Sequence, residues 1–548
     1  MSVRTCLGIL LGMAAGVYAQ PTPKADNCAP PPGSVAPSLP AKLLEGQGPV
    51  EFPITTNSAE AQRFFNQGVA QMHSFWAREA ERSFLQAAAL DPEAPMPHWG
   101  IAMVAAGDYR PGFQLDLVNG ADPVAQARKD APSGGEARAV AAAKRALLLS
   151  GVPGKATPLE KMYIAAAWAR RDMTRKDPNV GYTAALRRLV ERYPKEVEAR
   201  SYLALQIMSG FDLPAKTPRA GSMEAAAILR ALLQEAPQHP GVNHYVIHGF
   251  EGSSFAKDAW VSCERYGKLA WNIPHGLHMP GHIYAQTGRW ADASAAFAAA
   301  AKNEVYWLQV DSLATNGHHG HNVHFLATSL SFAGEYEKAL EAASSLLSYK
   351  ETPREARQAD NYRTAYRQGW FAVMRTLVQN ERWVEILDGV TLPVYDKPRE
   401  RAWRAWAAAQ AHLAKKDRAA ASTAEREMRK AIEELRGVSR PFALVPVRIA
   451  HDELRAQMAL ADGDVDGGLN GLEAAAKAER SARYNEPPNY PRPVLEVLGE
   501  RALEHNRAAL AERAYREALE QYPESARAKS GLRASLRKQG KALEAGGE

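Results

Sequence analysis

The sequence predicts an all-α chain: a solenoid in which antiparallel helix pairs stack into a superhelix. Three observations predict it. Alanine-rich runs such as AAFAAAAK and RAWRAWAAAQAHLAKK favour helix, while strand-like alternation of Val, Ile and Thr is almost absent. Small residues, an aromatic and a proline recur at fixed spacing, the signature of a repeat array. The chain has 548 residues, 46% hydrophobic and 23% charged, a globular balance with room for several domains or one long array.

The repeat begins after about residue 50. In its first copy Gly68, Ala80, Phe84, Ala87 and Pro92 occupy small, aromatic and terminating positions. Gly281 and Tyr284 with Ala293, Phe297 and Ala300 repeat the pattern, as do Gly499, Ala511, Tyr515, Ala518 and Pro523. Gly and Ala let two helices approach closely, the aromatic fills the space between them, and Pro ends the second helix. This is the tetratricopeptide (TPR) pattern. Weaker copies end at Pro194 and Pro237 or turn around Gly334 and Ala339. Residues 51–350 read as TPR repeats, and residues 351–548 as further helical or TPR repeats that depart from the consensus between about 355 and 480.

The N-terminus reads as a leader. Arg4 precedes an apolar stretch from Cys6 to Val17, and Val17-Tyr18-Ala19 fits signal-peptidase cleavage. Residues 1–19 are therefore expected to be a signal peptide and the mature protein periplasmic or secreted, with an uncleaved anchor as the alternative. The mature chain has no stretch apolar enough for a transmembrane helix. Residues 20–50, rich in Pro, Gly and Ser, read as a linker or extended tail. Cleavage would leave Cys28 and Cys263, which could pair in an oxidising compartment or remain separate thiols. The formal charge of +6 is spread over mixed-sign helices without a basic block, so nucleic acid is not an expected partner.

Ten of the 15 histidines fall between His239 and His324. His244 and His248 are four apart, as are His278 and His282, and the two pairs are offset by 34 residues, one TPR period. Residues four apart share a helix face, about 5–6 Å apart at Cβ, so each pair could grip one metal ion. First helices of neighbouring repeats line the concave surface, which would aim both pairs into one groove. Aligning Ala339 with Ala293 brings His324 into phase with His278, and His321 with His275. Glu251 lies three residues after His248. The expected ligands are His244, His248, His278, His282, His324 and Glu251, with His275, His321, His318, His319 and His73 as supporting or extra ligands. Structural histidines wedged between packed helices, or a surface reading a carboxylate or peptide, are the competing interpretations. His73 and His98, beside Phe75, Trp76 and Trp99, read more simply as packing residues, and Tyr284 as core. PPNYPRP at 487–493 reads as an inter-repeat turn, or as a loop folding over the groove.

An all-imidazole site favours copper, with iron or zinc possible, above all if Glu251 is a ligand. No cysteine sits in the cluster apart from Cys263 on the intervening helix, which argues against structural thiolate zinc. One or two such ions would suit a metal-dependent oxidoreductase, with a hydrolase next. The alternative is an interaction scaffold whose concave groove takes a peptide, protein or small-molecule ligand. Phosphate-binding glycine loops, dinucleotide fingerprints, nucleophile elbows and haem-attachment motifs are absent.

The segment PITTNSAEAQRFFNQGVAQMHSFWAREAERSFLQAAALDPEAPMPHWGIAM resembles the opening of a bacterial group of exported TPR-repeat proteins. NHYVIHGFE and HGLHMPGHIY are similar to that group's histidine-rich middle, and PPNYPRPVLEVLGERAL to its closing segment. The resemblance covers most of the chain. It implies the solenoid fold and brings no settled activity with it.

Overall fold

The structure is a computed structural model that describes residues 40–111, 134–172, 174, 177–310, 317–357, 363–439, 441–482 and 487–541. The expected signal peptide and Cys28 lie outside the described residues. The helices run in order α1 (Ala59–His73), α2 (Ala77–Leu90), α3 (Pro95–Val104), α4 (Gly134–Ser150), α5 (Pro158–Arg171), α6 (Pro178–Arg192), α7 (Val197–Ile207) and α8 (Ser222–Glu235). The middle holds α9 (Pro240–Phe250), α10 (Trp260–Leu269), α11 (Pro274–Gln286), α12 (Trp290–Val310), α13 (Gly317–Ala333), α14 (Tyr336–Ser345) and α15 (Pro353–Arg357). The rest is α16 (Ala365–Gln379), α17 (Trp383–Leu387), α18 (Pro398–Ala414), α19 (Arg418–Val438), α20 (Pro441–Ala461), α21 (Val465–Arg480), α22 (Val494–Glu504), α23 (Ala508–Gln521) and α24 (Ala526–Lys538). One small antiparallel pair, β1 (Phe211–Asp212) with β2 (Thr217–Pro218), pairs Phe211 with Pro218.

With few exceptions each helix packs on the next in chain order, and first helices of successive pairs also touch: α7 with α9, α9 with α11, α16 with α18 and α18 with α20. This is the TPR-type α-solenoid. Local sequence starts the helices: Pro240, Pro274, Pro178 and Pro398 stand at first helical positions, where their missing N–H costs nothing. Thr157 and Glu160 close a capping box on α5.

Small residues facing an aromatic set the helix spacing. A Cβ on Gly68 would lie 2.6 Å from Phe84, one on Gly281 2.5 Å from Phe297, and one on Gly499 2.6 Å from Tyr515. Gly100 and Gly531 press on Phe84 and Tyr515 from the following repeat. Each aromatic thus sits between two consecutive first helices.

Two large apolar cores result among the described residues, with a small third cluster of Ala301, Val323, Leu346 and Ala365. The first draws on residues from Val50 to Phe332 and the second on residues from Ala327 to Ala528, with α13 supplying side chains to both. Segments near both ends of the described residues return to the middle. Residues 40–50 are irregular but docked rather than loose: the Asn272 N–H donates to the Gly46 carbonyl (3.0 Å), and Gly46 packs on Trp271. α1 meets α9, where a Cβ on Gly241 would fall 2.3 Å from His73 Nδ1. From the other end, Trp290 Nε1–H donates to the Pro523 carbonyl (2.8 Å) and Phe332 stacks on Tyr522 (4.7 Å). The helices α11 to α13 are therefore enclosed from both sides. Among the described residues, no helix is long and apolar enough to cross a membrane.

Gly281→Ala is expected to destabilise the protein by roughly 1–3 kcal/mol by overpacking against Phe297. Gly437→Ala, in α19 with open space around it, should be neutral or stabilising by about 0.5–1 kcal/mol. Urea denaturation of the two variants checks this. Equal effects would contradict the proposed spacing role of Gly281.

Candidate metal centre

The in-phase histidines converge in the enclosed middle. His244 and His248 on α9 and His275 on α11 form one buried triad; His278 and His282 on α11 and His321 on α13 form a second. Within each triad one ring nitrogen per residue lies within 4.8 Å of the others. The triads adjoin, with the His275 and His278 rings 6.0 Å apart.

Hydrogen bonds fix the tautomers at the heart of each triad. His244 Nδ1 faces the His73 carbonyl at 2.5 Å; a carbonyl only accepts, so Nδ1 carries the hydrogen. His244 Nε2 is left as a lone pair, 3.1 Å from His275 Nε2. Two imidazole nitrogens on one tetrahedral ion, each about 2.0 Å from it, stand about 3.3 Å apart. In the second triad His282 Nδ1–H donates to Glu251 Oε1 (2.8 Å), and Nε2 points at His278 Nε2, 2.5 Å away. That second contact would have to open by several tenths of an ångström around an ion.

Burial favours the neutral form of five of the six triad rings. Burial pushes His244, His275, His278 and His321 well below the ordinary imidazole value, and neighbouring histidines push the same way. Burial also lowers His248, against the pull of Glu251. Neutral imidazole is the metal-binding form. His275 Nδ1, His278 Nδ1 and His321 Nε2 are buried with no hydrogen-bond partner, an unusual concentration of unsatisfied nitrogens.

Several expected residues take different places. Glu251 lies behind the imidazoles: one oxygen accepts from His282 and the other is 3.7 Å from His248 Nδ1, so a single carboxylate supports both triads. His275 and His321, expected as supporting residues, are triad members. His324 points elsewhere: its Nδ1–H donates to Gln368 Oε1 (2.7 Å) and it belongs to neither triad. Its phase along the repeat is right, but a face is wider than one metal sphere. His318 borders the second triad, its ring 5.6 Å from His278, with Nδ1 3.2 Å from Glu304. His319 Nδ1–H donates to the Ala301 carbonyl, away from both triads. Cys263 is buried on α10, and burial pushes its thiol well above the usual value.

His73 enters a third group, one not legible as such from the sequence. Glu198 on α7 accepts from His73 Nε2–H (2.7 Å) and His239 Nε2–H (2.9 Å). Tyr245 O–H donates to His73 Nδ1 (2.8 Å), and the Val242 N–H donates to His239 Nδ1 (3.1 Å). Every ring nitrogen here is satisfied by protein, so this group ties α1, α7 and α9 together. Burial pushes the Glu198 carboxyl up, but His73 and His239 outweigh it and hold it well below the usual value.

Phe75 covers the first triad, its ring 4.5 Å from His244, 5.3 Å from His248 and 5.7 Å from His275. It sits in the α1–α2 turn at φ 54°, where the turns after α11 and α13 use Gly288 and Gly334. A bulky residue held left-handed is strained, and here the turn aims its ring at the histidines. Phe297 and Phe325 wall the second triad.

No protein-family model matches the chain, and no curated protein does. Among solved structures it is similar to a tetratricopeptide repeat protein from Parabacteroides merdae, at 13% identity over 62% of this chain and 97% of that one, TM-score 0.31. It is similar to yeast Tom70 at 12% identity, over 88% of this chain and 90% of that one, TM-score 0.27. A human IFIT1 dimer with m7Gppp-AAAA matches at 10% identity, over 89% of this chain and 91% of that one, TM-score 0.30. At these scores the superpositions carry no argument about activity. The chain is a TPR-type solenoid by its own helix pairs, with buried histidine groups at its centre.

Glu198→Gln is expected to lower stability at pH 7 by roughly 1.5–3 kcal/mol through loss of charge-assisted hydrogen bonds. The folded-state value of Glu198 is depressed, so this contribution is complete above the unfolded carboxylate value of about 4.3 and shrinks as pH falls below it. Denaturation from pH 7 to pH 3 checks this: the gap between variant and wild type should begin to close below about pH 4.3.

Proposed function

We propose that the protein is a metalloprotein carrying one ion in each histidine triad, and that its metal is copper. The observation that carries this reading is the pair of buried imidazole triads in which His244 and His282, each held at Nδ1 by an acceptor, turn Nε2 toward a neighbouring imidazole. Charge favours copper. Two divalent ions against the one carboxylate of Glu251 would bury an excess of about three positive charges; two cuprous ions would bury about one. Copper also leads the divalent affinity order for imidazole, with iron and zinc as the comparison ions.

A copper pair held by nitrogen alone suits one-electron chemistry, so the reading extends to an oxidoreductase. Hydrolysis has less support, because Glu251, the carboxylate nearest to serving as a base, is engaged by His282. Burial of the triads disfavours their use as a peptide-docking surface. The leader-like N-terminus supports a site of action outside the cytoplasm.

Loading with Cu(I) under anaerobic conditions, followed by elemental analysis and X-ray absorption, tests the reading. Two coppers per chain with nitrogen-only coordination are expected. His278→Ala/His282→Ala and His244→Ala/His248→Ala should each keep one copper while far-UV circular dichroism stays helical. Full loading of both variants, or sulfur in the coordination sphere, would sink the assignment.

A further inference from the structure

The second core contains a cation that the metal reading does not use. Gln368, Phe371 and Arg375 form one inward stripe of α16, at helical spacing. Arg375 is 1% exposed. Its Nη2 donates to the Pro488 carbonyl, its Nε finds no acceptor, and it makes no ion pair among the described residues. The next buried arginine along α16 is handled differently: Arg367 donates to both oxygens of Glu400, at 3.1 and 2.7 Å. Glu400 also takes Arg399 Nη1 at 3.2 Å, so one carboxylate serves two guanidiniums and Arg375 has none. Burying a guanidinium without an anion is costly, and such a group is retained where an anion completes it.

The surroundings give that anion a shape. Arg375 and Arg399 both stand against Phe371, their guanidinium carbons 5.5 and 4.7 Å from the ring centroid. Trp403 packs on Phe371 at 5.4 Å, and Tyr490 packs on Trp403 at 6.0 Å. Tyr490 belongs to PPNYPRP, the connection between α21 and α22, which folds inward: Tyr490 and Arg492 are buried. His324, 5.7 Å from Phe371, borders the same region, with a buried Nε2 that has no partner.

We propose that Arg375 and Arg399 hold the carboxylate of a small organic acid against Phe371 and Trp403, inside the C-terminal core and beside His324. A planar guanidinium matches a carboxylate in two parallel hydrogen bonds, and the aromatic walls suit an organic body better than a hydrated phosphate. The local charge balance agrees. Burial and the field of Arg399 lower Arg375 to about 10, which leaves it charged at neutral pH. The carboxyl of Glu479, whose field reaches it, is pushed by burial up to about 8 and is mostly protonated there. The assignment stands independently of the metal.

Isothermal titration of the full chain with succinate at constant ionic strength set by chloride, and in parallel with inorganic phosphate, tests it. One succinate site is expected, with phosphate weaker. Arg375→Met and the more exposed Arg399→Met should each weaken succinate by about tenfold or more, the loss of a charge-assisted pair. His278→Ala/His282→Ala should bind succinate as wild type does. Absence of succinate binding, wild-type affinity for succinate in either arginine variant, or phosphate binding tighter than succinate would each overturn the proposal. Arg399→Met keeps the test decisive if Arg375→Met fails to fold.

Discussion

The contact between a small residue on one helix and an aromatic on its partner governs the rest of this molecule. Gly281 meeting Phe297 fixes how closely α11 approaches α12, and the equivalent contacts at Phe84 and Tyr515 do the same at the two ends of the chain. Close approach stacks the first helices in phase, and phase turns a 34-residue recurrence into a spatial cluster. Gly281 lies between His278 and His282 on α11, so the residue that sets helix spacing and the residues that face the centre share a single turn. A bulkier residue there would push α11 off α12 and carry the second triad with it.

Enclosure supplies the chemistry. An open solenoid would leave its concave histidines in water, free to protonate near pH 6.5. Here α1 closes over α9, residues 40–50 pin the α10–α11 junction, and the α23–α24 turn returns to α12. The resulting desolvation favours neutral imidazole at His244, His248, His275, His278 and His321. Polar atoms outside the triads set their orientation: the His73 carbonyl for His244, and Glu251 for His282. The contrast with His73, Glu198 and His239 is instructive. That group has a carboxylate in place of one imidazole and a less buried His239, and each of its ring nitrogens has a protein partner, so it reads as a tie between helices.

The two cores handle charge in opposite ways. At its triads the first gathers imidazoles around one carboxylate, Glu251. The second gathers arginines and carboxylic acids, several of them pushed toward neutrality by burial, such as Glu496 at about 7. α13 separates them and contributes His321 to one side and His324 to the other. A one-turn difference along a single helix therefore decides which environment an imidazole joins.

The sequence by itself determined the repeat, the positions where helices approach, and the phase match of the histidine pairs. These follow from residue spacing along a helix, which is a local property. It also marked Glu251 as near the site, though not its place behind the ligands. Only the tertiary structure decided which histidines share a triad. His275 joins His244 and His248 because α11 crosses α9 at one angle and depth, and His324 leaves the set because α16 offers it Gln368. The Phe75 cover and the Glu198 tie were not legible for the same reason: each depends on segments distant in sequence whose meeting is set by superhelical closure, and closure sums small rotations over many repeats.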